Sequence, residues 1–124
     1  MTSRHIVALG GSLLRPEESE KRSEWLGQLR QLAVHLEGNE RKIGIVIGGG
    51  LPAREAIELA KNCISSSEKL DQVGIAATRL NATVIQQILL DIGCNVAPEI
   101  PHTTSQSAEL LEQYNFVVMG GTTP

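Results

Sequence analysis

With 124 residues, 41% of them hydrophobic, the chain is long enough for one domain with a buried core and too short for two ordinary ones. A charged fraction of 20% and a net charge of −3 set aside intrinsic disorder and a general polyanion-binding surface. Aromatic residues make up only 2% (Trp25, Tyr114 and Phe116), too few for the stacking platforms that hold single-stranded nucleic acid, so nucleic acid is not an expected partner.

Residues 5–9, "HIVAL", form a short apolar run that stops at Gly10-Gly11-Ser12, the pattern of a buried strand ending in a tight turn. Beyond Pro16, Trp25, Leu26, Leu29, Leu32, Ala33 and Leu36 recur at helical steps and predict an amphipathic helix over about 19–36. "IGIVI" at 43–47 is a second strand, meeting Gly48-Gly49-Gly50, with Pro52 expected at the first position of a helix through "AREAIELAKN". Ser65 and Glu68 have capping-box spacing ahead of a long periodic stretch that carries Val73, Ala77, Leu80, Val84 and Ile88 and closes at Gly93. Gly74 and Asn81 weaken that helix locally. "CNVAP" at 94–98 is a candidate strand, 105–114 a short helix, and "FVVM" at 116–119 the last strand.

Strands alternating with helices at this spacing predict right-handed crossovers and a mostly parallel sheet covered on both faces: a three-layer α/β/α sandwich forming a single domain over 1–124. The N-terminal apolar run is far too short for a secretory core and no run approaches membrane-spanning length, so a cytoplasmic protein with no membrane partner is expected. Cys63 and Cys94 lack the spacing of a zinc site, and His5, His35 and His102 share none with a Ser or Cys that would make a triad.

In a parallel sheet the glycine loops at 10–12, 48–50 and 120–123 fall on one carboxyl edge, where open α/β sheets bind ligands. Glycine lets backbone N–H groups approach an anion, and a following helix N-terminus adds partial positive charge, so phosphate is the natural ligand. Any one such loop is equally ordinary turn chemistry; three together carry more weight. None is a Walker A loop or a dinucleotide fingerprint, which disfavours P-loop kinases and Rossmann dehydrogenases. Arg54, just after the triple glycine, and Arg79 are either counter-charges or solvated helix residues, Arg54 being better placed. Asp71 and Thr78, seven apart on the long helix, share a face and could hydrogen-bond a sugar or position an acceptor.

The segments "IVALGGSLL" (6–14), "IGIVIGGGLPAREAIELA" (43–60), "LDQVGIAATRLNATVI" (70–85) and "VVMGGTTP" (117–124) resemble, in order and spacing, the amino-acid-kinase superfamily, and among its branches the archaeal type of UMP kinase. The resemblance implies transfer of the γ-phosphoryl group of ATP to UMP with Mg²⁺, in an enzyme that assembles as a homo-oligomer, usually a hexamer. It assigns Gly10, Gly11 and Ser12 to the transferring phosphates, Gly50 and Arg54 to positions near the ATP phosphates, and Gly49 to a UMP contact. It likewise gives Asp71 to the ribose, Thr78 to the UMP site, and Gly121, Thr122, Thr123 and Pro124 to the start of a UMP-binding loop. Ala8 stands where many superfamily members carry a lysine, as it does in the archaeal branch.

In the family the sequence after "GGTTP" continues through the acceptor loop into a segment that binds the adenine nucleotide, so the resemblance implies an N-terminal acceptor half, with turnover impaired or absent and a sheet edge or face open to self-association. Two other readings stand beside it. A non-catalytic oxyanion- or nucleotide-binding module would use the same glycine loops, and another small-molecule kinase of the superfamily would share the fold, though "TRLNA" speaks against it.

Overall fold

Apolar and β-branched residues concentrate in three strands of a computed structural model that describes residues 3–9, 23–24, 26–31 and 41–121. Strand β1 spans Ser3–Leu9, β2 Arg41–Ile47 and β3 Phe116–Gly120, all parallel, in the order β1-β2-β3. Between them lie helix α1, described at 23–24 and 26–31, then α2 (Gly50–Ala60), α3 (Ser67–Asp91) and α4 (Thr104–Gln113).

The register explains the layering. Ile43 pairs with Phe116 and Ile45 with Val118, and side chains alternate across a strand, so Ile43, Ile45, Ile47, Phe116 and Val118 share one face. That face meets Ala82, Ile85 and Leu89 of α3 and, farther out, Leu26 and Leu29 of α1. Gly44 and Val117, the next pair, point to the other face, where Leu111 of α4 packs. Helices thus cover both faces of the parallel sheet, as the alternation predicts. Each fully buried Ile or Leu contributes about 1.5–3 kcal/mol relative to exposure, which makes the α3 seam the main source of stability. β1 is an edge strand among the described residues, and Arg4 through Ala8 are exposed.

α3 is delimited at both ends by backbone chemistry. The Ser66 hydroxyl accepts from the Lys69 N–H at 3.4 Å, so the cap lies one residue past Ser65 and Glu68 cannot complete the expected reciprocal box. At the other end Gly93 takes φ +87°, its N–H donating to Leu90 O at 3.0 Å and that of Cys94 to Leu89 O at 3.1 Å, which is a Schellman closure. By length and composition α3 is apolar enough to cross a bilayer, contrary to the reading of the sequence. Of its apolar residues, Ala82, Ile85 and Leu89 pack on the sheet, whereas Leu80, Val84 and Leu90 remain exposed.

Two expectations shift. α2 begins at Gly50, ahead of Pro52, which falls within the first turn where its missing N–H has no intrahelical partner to lose. The segment 94–98 forms only a single parallel bridge, Val96 to Phe116, with Ala97 N donating to Phe116 O at 2.9 Å. The segment is held by side chains of α3 instead: Gln86 Nε2 donates to Ala97 O at 3.0 Å, and the Arg79 guanidinium to Pro101 O at 3.1 Å and Ile100 O at 2.7 Å. Arg79 is therefore a strap on this loop, neither a counter-charge in a site nor a solvated residue.

Leu89→Ala, at a position with no exposed surface, is expected to lower the unfolding free energy by about 2–5 kcal/mol, read from the urea midpoint.

Candidate functional site

Ile47 and Gly120 are partners at the carboxyl ends of β2 and β3, and the Gly121 N–H donates to Ile47 O at 3.2 Å, so the loops that follow the two strands start side by side. Gly49, which precedes α2, has φ −78° and ψ −37°, and Gly50 has φ +56°. A right-handed residue followed by a left-handed one turns successive backbone N–H groups toward a common point, the concave arrangement that holds anions, and it sits here at a helix N-terminus. Only glycine takes the Gly50 conformation without strain. Gly49 is required for space: a Cβ there would collide with Cβ of Ala53 and stand 3.4 Å from Cγ2 of Thr78.

Gly49, Gly50, Ala53, Arg54, Ile57, Gly74 and Thr78 line an open cleft of about 160 Å³ between the start of α2 and the middle of α3. The exposed Arg54 provides the cationic side chain of this cleft. Gly74, expected only to weaken α3, is buried and contributes a wall without a side chain. Four of the residues singled out in the sequence, Gly49, Gly50, Arg54 and Thr78, are thus brought together. Asp71 lies exposed toward the α3 N-terminus, two turns before Thr78 and outside the residues that line the cleft. Gly10, Gly11, Ser12, Thr122, Thr123 and Pro124 lie outside the described residues.

Thr78 is buried, and its hydroxyl lies 2.7 Å from Ile75 O and 3.1 Å from Gly121 O, so the group expected to face a sugar faces protein carbonyls. Here α3 and β3 approach so closely that a Cβ on Gly120 would collide with the Thr78 hydroxyl and come within 2.8 Å of the Thr78 carbonyl carbon and 2.9 Å of Arg79 N. Sequence reading missed Asn81, whose Nδ2 donates to Gly48 O at 2.9 Å and Gly49 O at 3.0 Å. Its available signal was a polar amide on the apolar side of a long helix, one turn past Thr78.

The sequence pattern of the amino acid kinase family matches residues 3–123. The chain belongs to the amino acid kinase family. This family member is 35% identical over 119 residues to a uridylate kinase of Thermoplasma volcanium, the match covering 96% of the chain and 49% of the relative. It is 37% identical over 119 residues to a uridylate kinase of Archaeoglobus fulgidus, covering 96% and 50% respectively. The crystal structure of uridylate kinase from Archaeoglobus fulgidus matches with a TM-score of 0.72 at 36% identity, over 95% of this chain and 50% of that one. UMP kinase from Ureaplasma parvum shares the fold, with a TM-score of 0.66 at 18% identity over 98% and 57% of the two chains. The chain spans about half the length of the curated relatives it matches.

In this family member, Gly50→Ala forces a Cβ into the left-handed region and is expected to cost about 1–2 kcal/mol. Gly49→Ala, which drives a Cβ against Ala53, is expected to cost about 1–3 kcal/mol. Equilibrium urea unfolding of the two variants reads both.

Proposed function

We propose that this chain is the acceptor-binding half of a uridylate kinase, holding UMP while the γ-phosphoryl group of ATP is transferred to it to give UDP. The observation that carries the proposal is the Gly49–Gly50 cradle with Arg54 beside it, at the strand ends of a chain so similar to proteins named uridylate kinase. In this reading the N–H groups of the cradle and the Arg54 guanidinium neutralise phosphate charge. Asp71 accepts from ribose hydroxyls, Gly121, Thr122, Thr123 and Pro124 begin the loop around UMP, and Gly10, Gly11 and Ser12 contact the transferring phosphates.

The chemistry asks for no nucleophilic side chain. An oxygen of the UMP phosphate attacks the γ-phosphorus, and the bond from that phosphorus to the bridging oxygen of ADP breaks, ADP leaving with the electron pair. Mg²⁺ enters with ATP and neutralises its phosphates. A role in pyrimidine nucleotide synthesis, a cytoplasmic location and homo-oligomeric assembly belong to the same proposal. Self-association is supported by the exposed β1 edge and by Leu80 and Val84, exposed one turn apart on α3.

Calorimetric titration with UMP, with CMP and inorganic phosphate as controls, tests the proposal. Saturable binding that favours UMP is expected, and Arg54→Ala should weaken it by roughly ten-fold or more through loss of a charge-assisted contact. Binding of phosphate or molybdate as tight as that of UMP would instead mark an oxyanion-binding module.

A further inference from the structure

Two buried polar side chains on α3, Thr78 and Asn81, are 2% and 3% exposed and one turn apart, and each engages the loop at the end of a different strand. Asn81 holds the β2 loop through the carbonyls of Gly48 and Gly49. The described chain has no cis peptide, and a planar trans peptide directs its N–H opposite to its C=O. Fixing those two carbonyls on Asn81 therefore fixes the N–H groups of Gly49 and Gly50 pointing away from the Asn81 amide, as two consecutive donors of the cradle. The Gly49 carbonyl also accepts from the Ala53 N–H at 3.3 Å, so Asn81 matters most for the Gly48–Gly49 plane, which glycine would otherwise leave free to rotate.

Thr78 engages both loops at once. Its hydroxyl reaches Gly121 O, beyond β3, while its methyl lies 3.4 Å from where a Cβ of Gly49 would stand, beyond β2. A hydroxyl carries a single proton, which Ile75 O and Gly121 O share as acceptors, so the bond that secures Gly121 is one of two alternatives open to Thr78. Serine keeps the hydroxyl and loses the methyl and valine the reverse, so the two variants separate the bond to Gly121 from the approach to Gly49.

We propose that Thr78 and Asn81 are positioning residues that register the two glycine loops against each other, making one acceptor site from the ends of β2 and β3 with their polar groups turned to backbone carbonyls rather than to the ligand. The proposal rests on the acceptor reading above for its functional meaning, but its geometric content is independent of it. A disturbance at either side chain should be felt in both loops, because both loops are referenced to the same turn of α3.

The test is amide NMR of the ¹⁵N-labelled 124-residue chain, free and titrated with UMP, for wild type, Thr78→Val, Thr78→Ser and Asn81→Leu, with a urea midpoint for each. In the free chain, Thr78→Val is expected to move the amide resonances of Gly49 and Gly50 as well as Gly121, and Asn81→Leu to move Gly120 and Gly121 as well as Gly49. UMP affinity should fall between about three-fold and ten-fold for Thr78→Val, the span of one net hydrogen bond, and recover most of that in Thr78→Ser despite its smaller volume. Shifts confined to the loop each residue touches would overturn the proposal, as would a Thr78→Ser variant no better than Thr78→Val. Should Asn81→Leu fail to fold, the Thr78 pair, which changes shape least, decides the matter. If wild type binds no UMP, the acceptor reading fails while the free-chain resonances still decide the registration.

Discussion

Helix α3 approaches the end of β3 so closely that only a hydrogen fits on Gly120. Everything at the carboxyl edge follows from it. Because the helix lies against the strand at that point, its Thr78–Asn81 turn sits directly over the junction of β2 and β3, and its polar side chains can reach loop carbonyls that the sheet leaves unpaired. A parallel sheet always ends in such unpaired groups, and they must be satisfied by something other than the ladder. Here the same helix that supplies Ile85 and Leu89 to the core also supplies those partners.

This division of one helix into an apolar half and a loop-holding half explains what was readable in the sequence. The strands at 43–47 and 116–119, the long helix closing at Gly93 and the covered parallel sheet were all legible, because each depends on local periodicity and on glycine or proline punctuation. What depended on long-range partners was not. Asn81 looked like a flaw in a helix because its partners, Gly48 and Gly49, lie more than thirty positions away, and propensity weighs only neighbours. Arg79 looked like a candidate counter-charge for the same reason, its carbonyl partners belonging to a loop with no periodic signal. At 94–98 the apolar pattern was genuine, but the Ala97 carbonyl, the next acceptor in line for β3, is engaged by Gln86 and the pairing stops at one bridge.

The candidate site shows a similar split. Gly49, Gly50 and Arg54 were found from the rule that glycine loops at parallel-strand ends hold anions, and the αR–αL backbone gives that rule a concrete form. Thr78 was singled out by spacing from Asp71, yet the structure separates the two: the carboxylate is exposed and the hydroxyl turned inward. Helical spacing puts residues on one face without saying how deep in that face each one lies.

The pairing of Ile47 with Gly120 joins positions more than seventy apart in the chain. Contacts of that separation form only after the intervening loop entropy has been overcome, whereas α3, capped at both ends, is stabilised by contacts a few residues apart. The helix can take shape early and the strand junction only late. The Gly49–Gly50 turn and the cleft beside it, whose geometry needs both, are then completed late in folding, so a nascent chain presents no finished cleft until the sheet itself is closed.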